Sequence, residues 1–435
     1  MIKSVGKIGY ITSRYPLISH TFVQREIVGL RQAGYEVVPF TVRATPASEH
    51  RTDLDREEAQ RTEVVVTASV VRLLQYVLLP ALRNAKDVAA LFRLAAKGHW
   101  GDPRQLLWRL FYTFEAVLVW KRCNELGIRH LHAHHANVAA NLAWLAVELG
   151  RRVDGPDSAW RWTFTMHGPS ELMAIEAHDL GAKAEAADGV ACISDFTRSQ
   201  LMLHTQPESW ERFRIVHCGI DTQRFAPLPA DQRRPRGEGD PFVVLSIGRI
   251  SAQKGFPVLV DAIAKLQDLV DQDVKLIAAG EGPNRMELQA RCDELGIDAK
   301  FIGPVGQDEI LDLYHQADAF CLPSFMEGLP VVLMEALGCE LPVVTTDVAG
   351  IGEMVVHTQT GLLTRPGRAD LTAAELARLA RDPNLRARLG AAGRIAVLGE
   401  FDIEQTVAGM ARLFGDVAEA RLGLRAVTAN EGADS

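Results

Sequence analysis

Apolar positions along this chain fall into short continuous runs, alternating with longer stretches that carry an apolar residue every three or four places. The first run, "VGKIGYIT" (5–12), reads as a strand buried on both faces. In "HTFVQREIVGLRQAG", Phe22, Val23, Ile27, Leu30 and Ala33 recur at helical spacing, and Gly34 suits the stop. "YEVVPFTV" is the next strand, so the chain opens with a β-α-β unit, which implies parallel strands joined by a right-handed crossover. Beyond a helical insertion, "FEAVLVWKRCNELG" and "NVAANLAWLAVELG" read as helices. "IRHLHAHHA", "RWTFTMHG", "GVACIS" and "FRIVHCGID" read as strands. The periodicity lapses across "APLPADQRRPRGEGD" (226–240), which is rich in Pro, Gly and charge and reads as a linker. It restarts with "FVVLSIGRI" and alternates strand and helix through "LPVVTTD".

The expected fold is therefore α/β: two doubly wound Rossmann-like domains facing each other across a cleft. The first spans 1–225 with a helical insertion at about 64–120, and the second spans 241–395. A terminal helix at 396–422 is expected to pack back on the first domain, ahead of a disordered tail at 423–435. In such sheets ligands bind beyond the carboxyl ends of the strands.

Length and composition fit this picture. The 435 residues exceed one ordinary domain, and 47% apolar with 23% charged residues is usual for a globular chain. A net charge of −8 argues against a nucleic-acid partner. Six cysteines without a C-x-x-C pair fit a reduced, cytoplasmic setting, and the first 16 residues show no signal-peptide h-region. "VVVTASVVRLLQYVLLPAL" (64–82) is interrupted by Arg72, Gln75 and Pro80 and is rejected as a membrane span. Arg83, Lys86, Arg93, Lys97, Arg104 and Arg109 follow it with few acids between. Two readings stay open for that stretch. Its basic face could rest on an anionic bilayer at the inner side of the cell membrane, or it is a core-packing insertion with solvated cations.

The chemistry-bearing residues gather just past strand ends. "SIGRISAQKG" places Gly248, Arg249, Lys254 and Gly255 after one strand, where a guanidinium and an ammonium would suit a diphosphate. "AAGEGP" places Gly280, Glu281 and Gly282 after the next. The plainer readings are a surface salt bridge and a simple turn. Neither stretch is a P-loop or a dinucleotide fingerprint. In "SFMEGLPVVLMEALG", Pro330 suits the first turn of a helix and Gly338 its end, which puts Glu327 in the preceding loop and Glu335 inside the helix. The Gly328 and Leu329 amides then lie at a helix start able to hold phosphate. A glutamate within "VVLMEAL" is out of place for mere decoration. In the first domain His167 ends a strand, and His130, His132 and His134 share one strand face. No cysteine or acid stands nearby at ligand spacing, and no D-x-D ends a strand. Asp53/Asp55 and Asp271/Asp273 look loop-like, so no metal is expected.

Taken in order, "SRYPLISHTFVQREIVGLRQAGYEV", "TMHGPSEL", "CISDFTRSQL", "VHCGIDTQRF", "GRISAQKG", "AGEGP", "FIGPVGQDEILDLYHQADAFCLPSFMEGLPVVLMEAL" and "GIGEMV" resemble the family-4 retaining glycosyltransferases of GT-B fold. The E-x7-E pair of Glu327 and Glu335 with its G-L-P insert is the most specific match. The first loop looks most like bacterial exopolysaccharide enzymes of the colanic-acid type, with His20 standing where the S-E-T-F pattern has an acid. The resemblance implies a UDP- or GDP-sugar donor held mainly by the second domain, with no cofactor. Arg249 and Lys254 would hold the diphosphate, with Gly248 and Glu281 beside them. Glu335 would take the ribose hydroxyls. Glu327, Gly328 and Leu329 would take the sugar hydroxyls, and Val305 would lie by the base. It implies His167 at the transferred sugar and a glycan or polyprenyl-linked acceptor near Tyr15, His20, His132 and His134. It also implies same-face attack with retention, the leaving phosphate helping to remove the acceptor proton. A nucleotide-sugar epimerase or phosphorylase, and a non-catalytic sugar-nucleotide-binding protein, are the competing readings.

Overall fold

The computed structural model describes residues 6–17, 21–50, 52–66, 78–173, 175–229, 231–232, 237 and 239–431. Most of the apolar segment at 64–82, part of the 226–240 linker, and His20 lie outside them. The chain divides into two compact units. The first comprises Met1–Ile193, Thr197–Val216 and Val407–Ser435, and the second comprises Ser194–Phe196 and His217–Thr406.

In the first unit the short apolar runs form β1 (Ile8–Thr12), β2 (Val37–Thr41), β3 (Glu63–Val64), β4 (His130–His134), β5 (Arg161–Met166), β6 (Gly189–Cys192) and β7 (Phe213–Ile215). They make one parallel seven-stranded sheet in the order β3-β2-β1-β4-β5-β6-β7. Every residue of β1, β4 and β5 is buried, as strands covered on both faces are, which in β4 takes His130, His132 and His134 inside. The strand order reverses between β1 and β4, whose register pairs Tyr10 with His132.

The insertion is helical, with Ala85–Ala96 and Pro103–Leu126 placing Leu91, Val117, Trp120 and Cys123 in the same core as Leu142, Trp162 and Phe164. Its inner side is thus core. Arg109, expected on the solvated basic face, is buried instead: its Nη2 lies 2.7 Å from Asp179 and 2.8 Å from His99 Nε2. Asp53 and Asp55 open a helix, Asp53–Arg61, rather than a loop. Thr52 accepts from the Asp55 amide and Asp55 accepts from the Thr52 amide, a reciprocal cap.

The second unit holds β8 (Phe242–Ile247), β9 (Val274–Ala279), β10 (Asp298–Gly303), β11 (Ala319–Leu322), β12 (Val343–Thr346) and β13 (Leu362–Thr364). These form a parallel six-stranded sheet in the order β10-β9-β8-β11-β12-β13. Its order reverses between β8 and β11. Residues 217–225 belong to this unit: the Ile220 amide donates to Phe401 O at 2.9 Å and Ile220 O accepts from the Ile403 amide at 2.8 Å. The strand read across 213–221 therefore stops at Ile215.

The terminal helix starts at Ile403, after the separate helix Pro383–Glu400, and continues to Glu431, so residues 423–431 are helical rather than a disordered tail. From it Met410, Leu413, Phe414 and Val417 pack in the first unit against Tyr10, Val23, Ile27 and Leu30. Among the described residues no helix is long and apolar enough to cross a membrane.

Candidate functional site

Two loops leave the second sheet where its strand order reverses, 248–255 after β8 and 323–330 after β11, and they hold most of the residues singled out in the sequence. They are fastened together. The Phe325 amide donates to Gln253 O at 2.9 Å. Gly255 has φ +73°, and a Cβ there would stand 1.9 Å from Pro323 O, so no side chain fits between the loops. The result brings Lys254 onto Glu327: its ammonium lies 2.7 Å from both carboxylate oxygens. The Ser324 hydroxyl donates to Glu327 Oε1 at 2.7 Å.

Glu327 is buried and Lys254 half-buried. The sequence reading gave these two separate tasks, yet in this structure they are one ion pair. Neither is saturated by it, because an ammonium has a third N–H and a carboxylate has about four acceptor sites. Arg249 is exposed and makes no ion pair among the described residues.

The glycine turns after β8 and β9 stack closely. The Gly280 amide donates to Gly303 O at 2.7 Å, and a Cβ on Gly280 would sit 2.0 Å from Gly248 O. Glu281 is half-exposed and ion-paired to Arg285 one turn further on. Val305 is half-buried between β10 and the helix Gln307–Gln316.

The helix Val331–Gly338 begins one residue later than read, with Pro330 flanking it. Gly328 and Leu329 are buried, and among the described residues no backbone carbonyl is bonded to their amides. Those amides and the helix start give the 323–330 loop a partial positive charge. Glu335 is buried inside the helix, its Oε2 3.0 Å from the Tyr314 hydroxyl, which also lies 3.2 Å from Val332 O. Ser324 and Tyr314 were missed in the sequence. A serine three residues before Glu327 is a weak signal, and Tyr314 sits in an ordinary helical pattern.

In the first unit the histidines are interior. His132 Nδ1 lies 2.9 Å from Thr163 Oγ1 and its Nε2 3.1 Å from Thr165 Oγ1. Burial first, then His134 and His130, holds its pKa well below the usual imidazole value, so it is neutral. His130 is likewise pushed down, by burial and then Arg161. His134 Nδ1 lies 3.0 Å from His167 Nε2, and its Nε2 lies 3.3 Å from Glu26 Oε1. The Tyr10 hydroxyl donates to the same Glu26 oxygen at 2.7 Å.

Tyr15 is buried with its hydroxyl on Glu58 Oε2 at 2.9 Å. Burial and then Glu58 raise its pKa far above the usual phenol value. The Tyr15 hydroxyl, both His132 nitrogens and His134 Nδ1 thus have hydrogen-bond partners inside the unit. His167 is largely buried at the end of β5, its amide 3.2 Å from Glu171 Oε1.

Glu26 was not foreseen. It brings an acid to two of the histidines, and Glu26, His132 and His134 have ligand atoms within 4.8 Å of one another, a grouping able to hold a metal ion. The signal was present: Glu26 falls between Val23 and Ile27 on the apolar side of helix Thr21–Gln32. A cavity of about 500 Å³ in this unit, lined by Leu94, Arg109, Trp144, Leu145 and Asp179 among others, contains none of the expected site residues.

Comparison with known proteins agrees with the second unit's geometry. Residues 230–396 match the family model described as Glycosyl transferases group 1. A GDP-mannose-dependent alpha-(1-6)-phosphatidylinositol monomannoside mannosyltransferase of Mycolicibacterium smegmatis is 31% identical over 247 residues, 54% of this chain and 64% of that protein. A glycogen synthase of Mycobacterium tuberculosis is 33% identical over 204 residues, 46% of this chain and 47% of that protein. The chain thus spans less than two thirds of the length of these curated relatives. Anabaena HepE, solved with UDP and glucose, superposes with a TM-score of 0.69 at 18% identity, covering 94% of this chain and all (100%) of that one. Sucrose-phosphate synthase of Thermosynechococcus elongatus gives 0.68 at 21% identity, over 95% of this chain and 100% of that one. At such identities the likeness concerns the fold, two Rossmann-like α/β units of the GT-B class.

Proposed function

We propose that this protein is a retaining glycosyltransferase. It moves a sugar from a UDP- or GDP-sugar to a carbohydrate or polyprenyl-linked acceptor, in surface or exopolysaccharide assembly of the colanic-acid type. It works without a metal or other cofactor, in the cytoplasm and at the inner face of the cell membrane. The observation that carries this reading is the cluster of Lys254, Ser324 and Glu327 beside a helix start, with Arg249 on the same loop as Lys254, at the strand-order reversal of the second sheet. A group 1 domain over 230–396, a relative named for its dependence on GDP-mannose, and a fold neighbour solved with UDP and glucose all support it.

The chemistry follows from the residues. The donor diphosphate takes Arg249, the third N–H of Lys254 and the amides of Gly328 and Leu329. These oppose the charge that grows on the leaving phosphate, the term that most lowers such a barrier. Glu327, already fixed by Lys254 and Ser324, accepts from hydroxyls of the transferred sugar, and Glu335 from the ribose. The resemblance assigns His167 to the transferred sugar. No side chain in the cluster is placed as a covalent nucleophile. The C1–O bond to phosphate breaks and the C1–O bond to the acceptor forms on the same face. The acceptor proton passes to the phosphate oxygen that has just been released. The transition state resembles an oxocarbenium ion.

The test is a panel of UDP- and GDP-sugars scored by thermal shift and by donor turnover, with and without glycan acceptors. A selective donor raises the midpoint by mass action. Acceptor-dependent transfer with retained anomeric configuration supports the reading. Conversion of the donor sugar without acceptor would make the protein an epimerase, and binding unaltered by Glu327→Ala with no turnover would make it a binding protein.

A further inference from the structure

The first turns of helix Pro103–Leu126 present large apolar side chains to water, although the rest of the helix buries Val117, Trp120 and Cys123. Asp102 caps it, its Oδ1 accepting from the Arg104 amide at 2.9 Å and the Gln105 amide at 3.2 Å, which fixes where the first turn begins. From that start Leu107 is 55% exposed, Trp108 50% and Phe111 51%, with Leu110 beside them, while Arg109 is 3% exposed. Arg109 is held inside by Asp179, His99 and the Ala177 carbonyl, the last at 3.3 Å. A helix on a protein surface ordinarily turns its arginine out and its leucines and aromatics in. Here Arg109 continues the inward face of Thr113, Val117, Trp120 and Cys123, which leaves Leu107, Trp108, Leu110 and Phe111 on the outer side of the first turns. On its own helix Trp108 is stacked on Tyr112 with a centroid distance of 6.3 Å and tilted on Phe111 at 6.0 Å. Trp100 and Leu82 add further exposed apolar surface on the neighbouring segments.

Exposed cations stand on the first turn of the same helix and on the helices just before it. Arg83, Lys86, Arg93, Lys97 and Arg104 are all exposed, whereas the acids among described residues 78–112 are Asp87 and Asp102, and Asp102 is used as the cap. An apolar, tryptophan-bearing ridge on an insertion rich in exposed lysine and arginine matches the interface of an anionic bilayer. There the aromatic rings enter the headgroup level and the cations meet lipid phosphates.

We propose that the Leu107–Trp108–Leu110–Phe111 ridge seats this protein on an anionic membrane surface, deepening the membrane placement in the function proposed above and resting on it. Charge separates this occupant from the other candidates. A second copy packed on the same face by a two-fold axis would bring cations against the same cations. The chain's own apolar segment at 67–77 carries Arg72 and no acid, so it offers no counter-charge either.

The test is co-sedimentation of the full chain with phosphatidylglycerol-containing vesicles and with pure phosphatidylcholine vesicles. Binding is expected on the anionic vesicles, falling as salt rises. The paired substitution Trp108→Glu with Phe111→Glu should leave the protein in the supernatant, while its thermal midpoint and its thermal shift with the preferred sugar nucleotide stay unchanged. Since that variant could be thought to disturb folding, Lys97→Gln with Arg104→Gln provides a second, purely exposed pair. At about 1 kcal/mol per cation near the surface, losing both should weaken binding roughly 30-fold. A wild-type chain that stays in the supernatant with anionic vesicles overturns the proposal, as does undiminished pelleting of the Glu variant. A wild-type dimer that the Glu variant converts to a monomer assigns the ridge to a second copy and overturns it too. Absence of any sugar-nucleotide shift in both proteins strikes at the proposed function and leaves vesicle binding to be judged by itself.

Discussion

With both Glu327 oxygens 2.7 Å from the Lys254 ammonium, removing either group strands the other in a largely buried loop. Lys254→Ala and Glu327→Ala should each lower donor turnover, and the double variant should lose less than the two losses added. A double-mutant cycle read on kcat/KM should give a coupling of about 1 kcal/mol or more. Strict additivity would mean that the pair does not act as a unit. Arg249 is the contrast. It is exposed and without an ion pair among the described residues, so Arg249→Ala should leave stability within about 0.5 kcal/mol of the parent. Its cost to donor binding or turnover should be about 2 kcal/mol, the scale of a hydrogen bond to a charged group. Kinetics like those of the parent would remove Arg249 from the diphosphate site. At this scale the sequence was legible where residue type alone carries the message. Arg249, Lys254, Glu327 and Glu335 stood out as charge beside apolar runs. That Lys254 and Glu327 share one pair was not legible, because their meeting depends on two loops 73 positions apart in sequence being clamped at Gly255 and Pro323.

Among elements, that clamp is the most exacting contact. Gly255→Ala would combine a left-handed backbone, φ +73°, with a Cβ set 1.9 Å from the Pro323 carbonyl. Because the obstacle is backbone on a strand-end loop, the loops must part. The variant should lose at least about 1 kcal/mol of stability in denaturant unfolding and lose donor turnover as well. A stable variant with parent kinetics would show that the loops tolerate separation. A second element contact is pH-sensitive. From helix Leu180–Ala186, the buried Lys183 ammonium reaches Ala136 O at 2.7 Å and Asn137 O at 3.3 Å, just before helix Val138–Asp154. Burial outweighs the nearby Asp179, and its pKa falls from 10.5 to about 7. Between those values the unfolded chain holds a proton that the folded chain lacks, so this group makes stability rise with pH across that window. Below about 7 the cost of burying the charge is fully present. Unfolding midpoints in urea at several pH values, compared with Lys183→Met, should show a positive slope in the parent that the variant loses. Helix periodicity could not reveal this lysine, since "LGAKAEA" reads as a mixed surface turn. Nor could it place Arg109 inside, since that depends on Asp179, a partner 70 positions away that the pattern of its own turns does not show.

At the scale of the whole molecule, the alternation of apolar runs announced two parallel α/β sheets, and the lapse at 226–240 marked where the pattern restarts. Contacts draw the division differently. Residues 217–225 join the second unit through Phe401 and Ile403, and the last helix crosses from one unit to the other at Thr406 and Val407. Such exchanges are made by tertiary hydrogen bonds, which leave no period in the sequence. The same holds for Glu26, carried by helix Thr21–Gln32, and the β4 histidines, which form among the described residues a grouping able to hold a metal ion. Two facts weigh against its being needed for transfer. Both His132 nitrogens already lie within 3.1 Å of threonine hydroxyls, and the residues assigned to the diphosphate are in the other unit. In the proposed function Arg249 and Lys254 supply there the counter-charge that a bridging metal would otherwise supply. EDTA treatment of the full chain should therefore leave both acceptor-dependent turnover and the thermal midpoint unchanged. Loss of turnover restored by a divalent ion would put a metal at the diphosphate. A fall in midpoint alone, absent in His134→Ala, would put one at Glu26, His132 and His134.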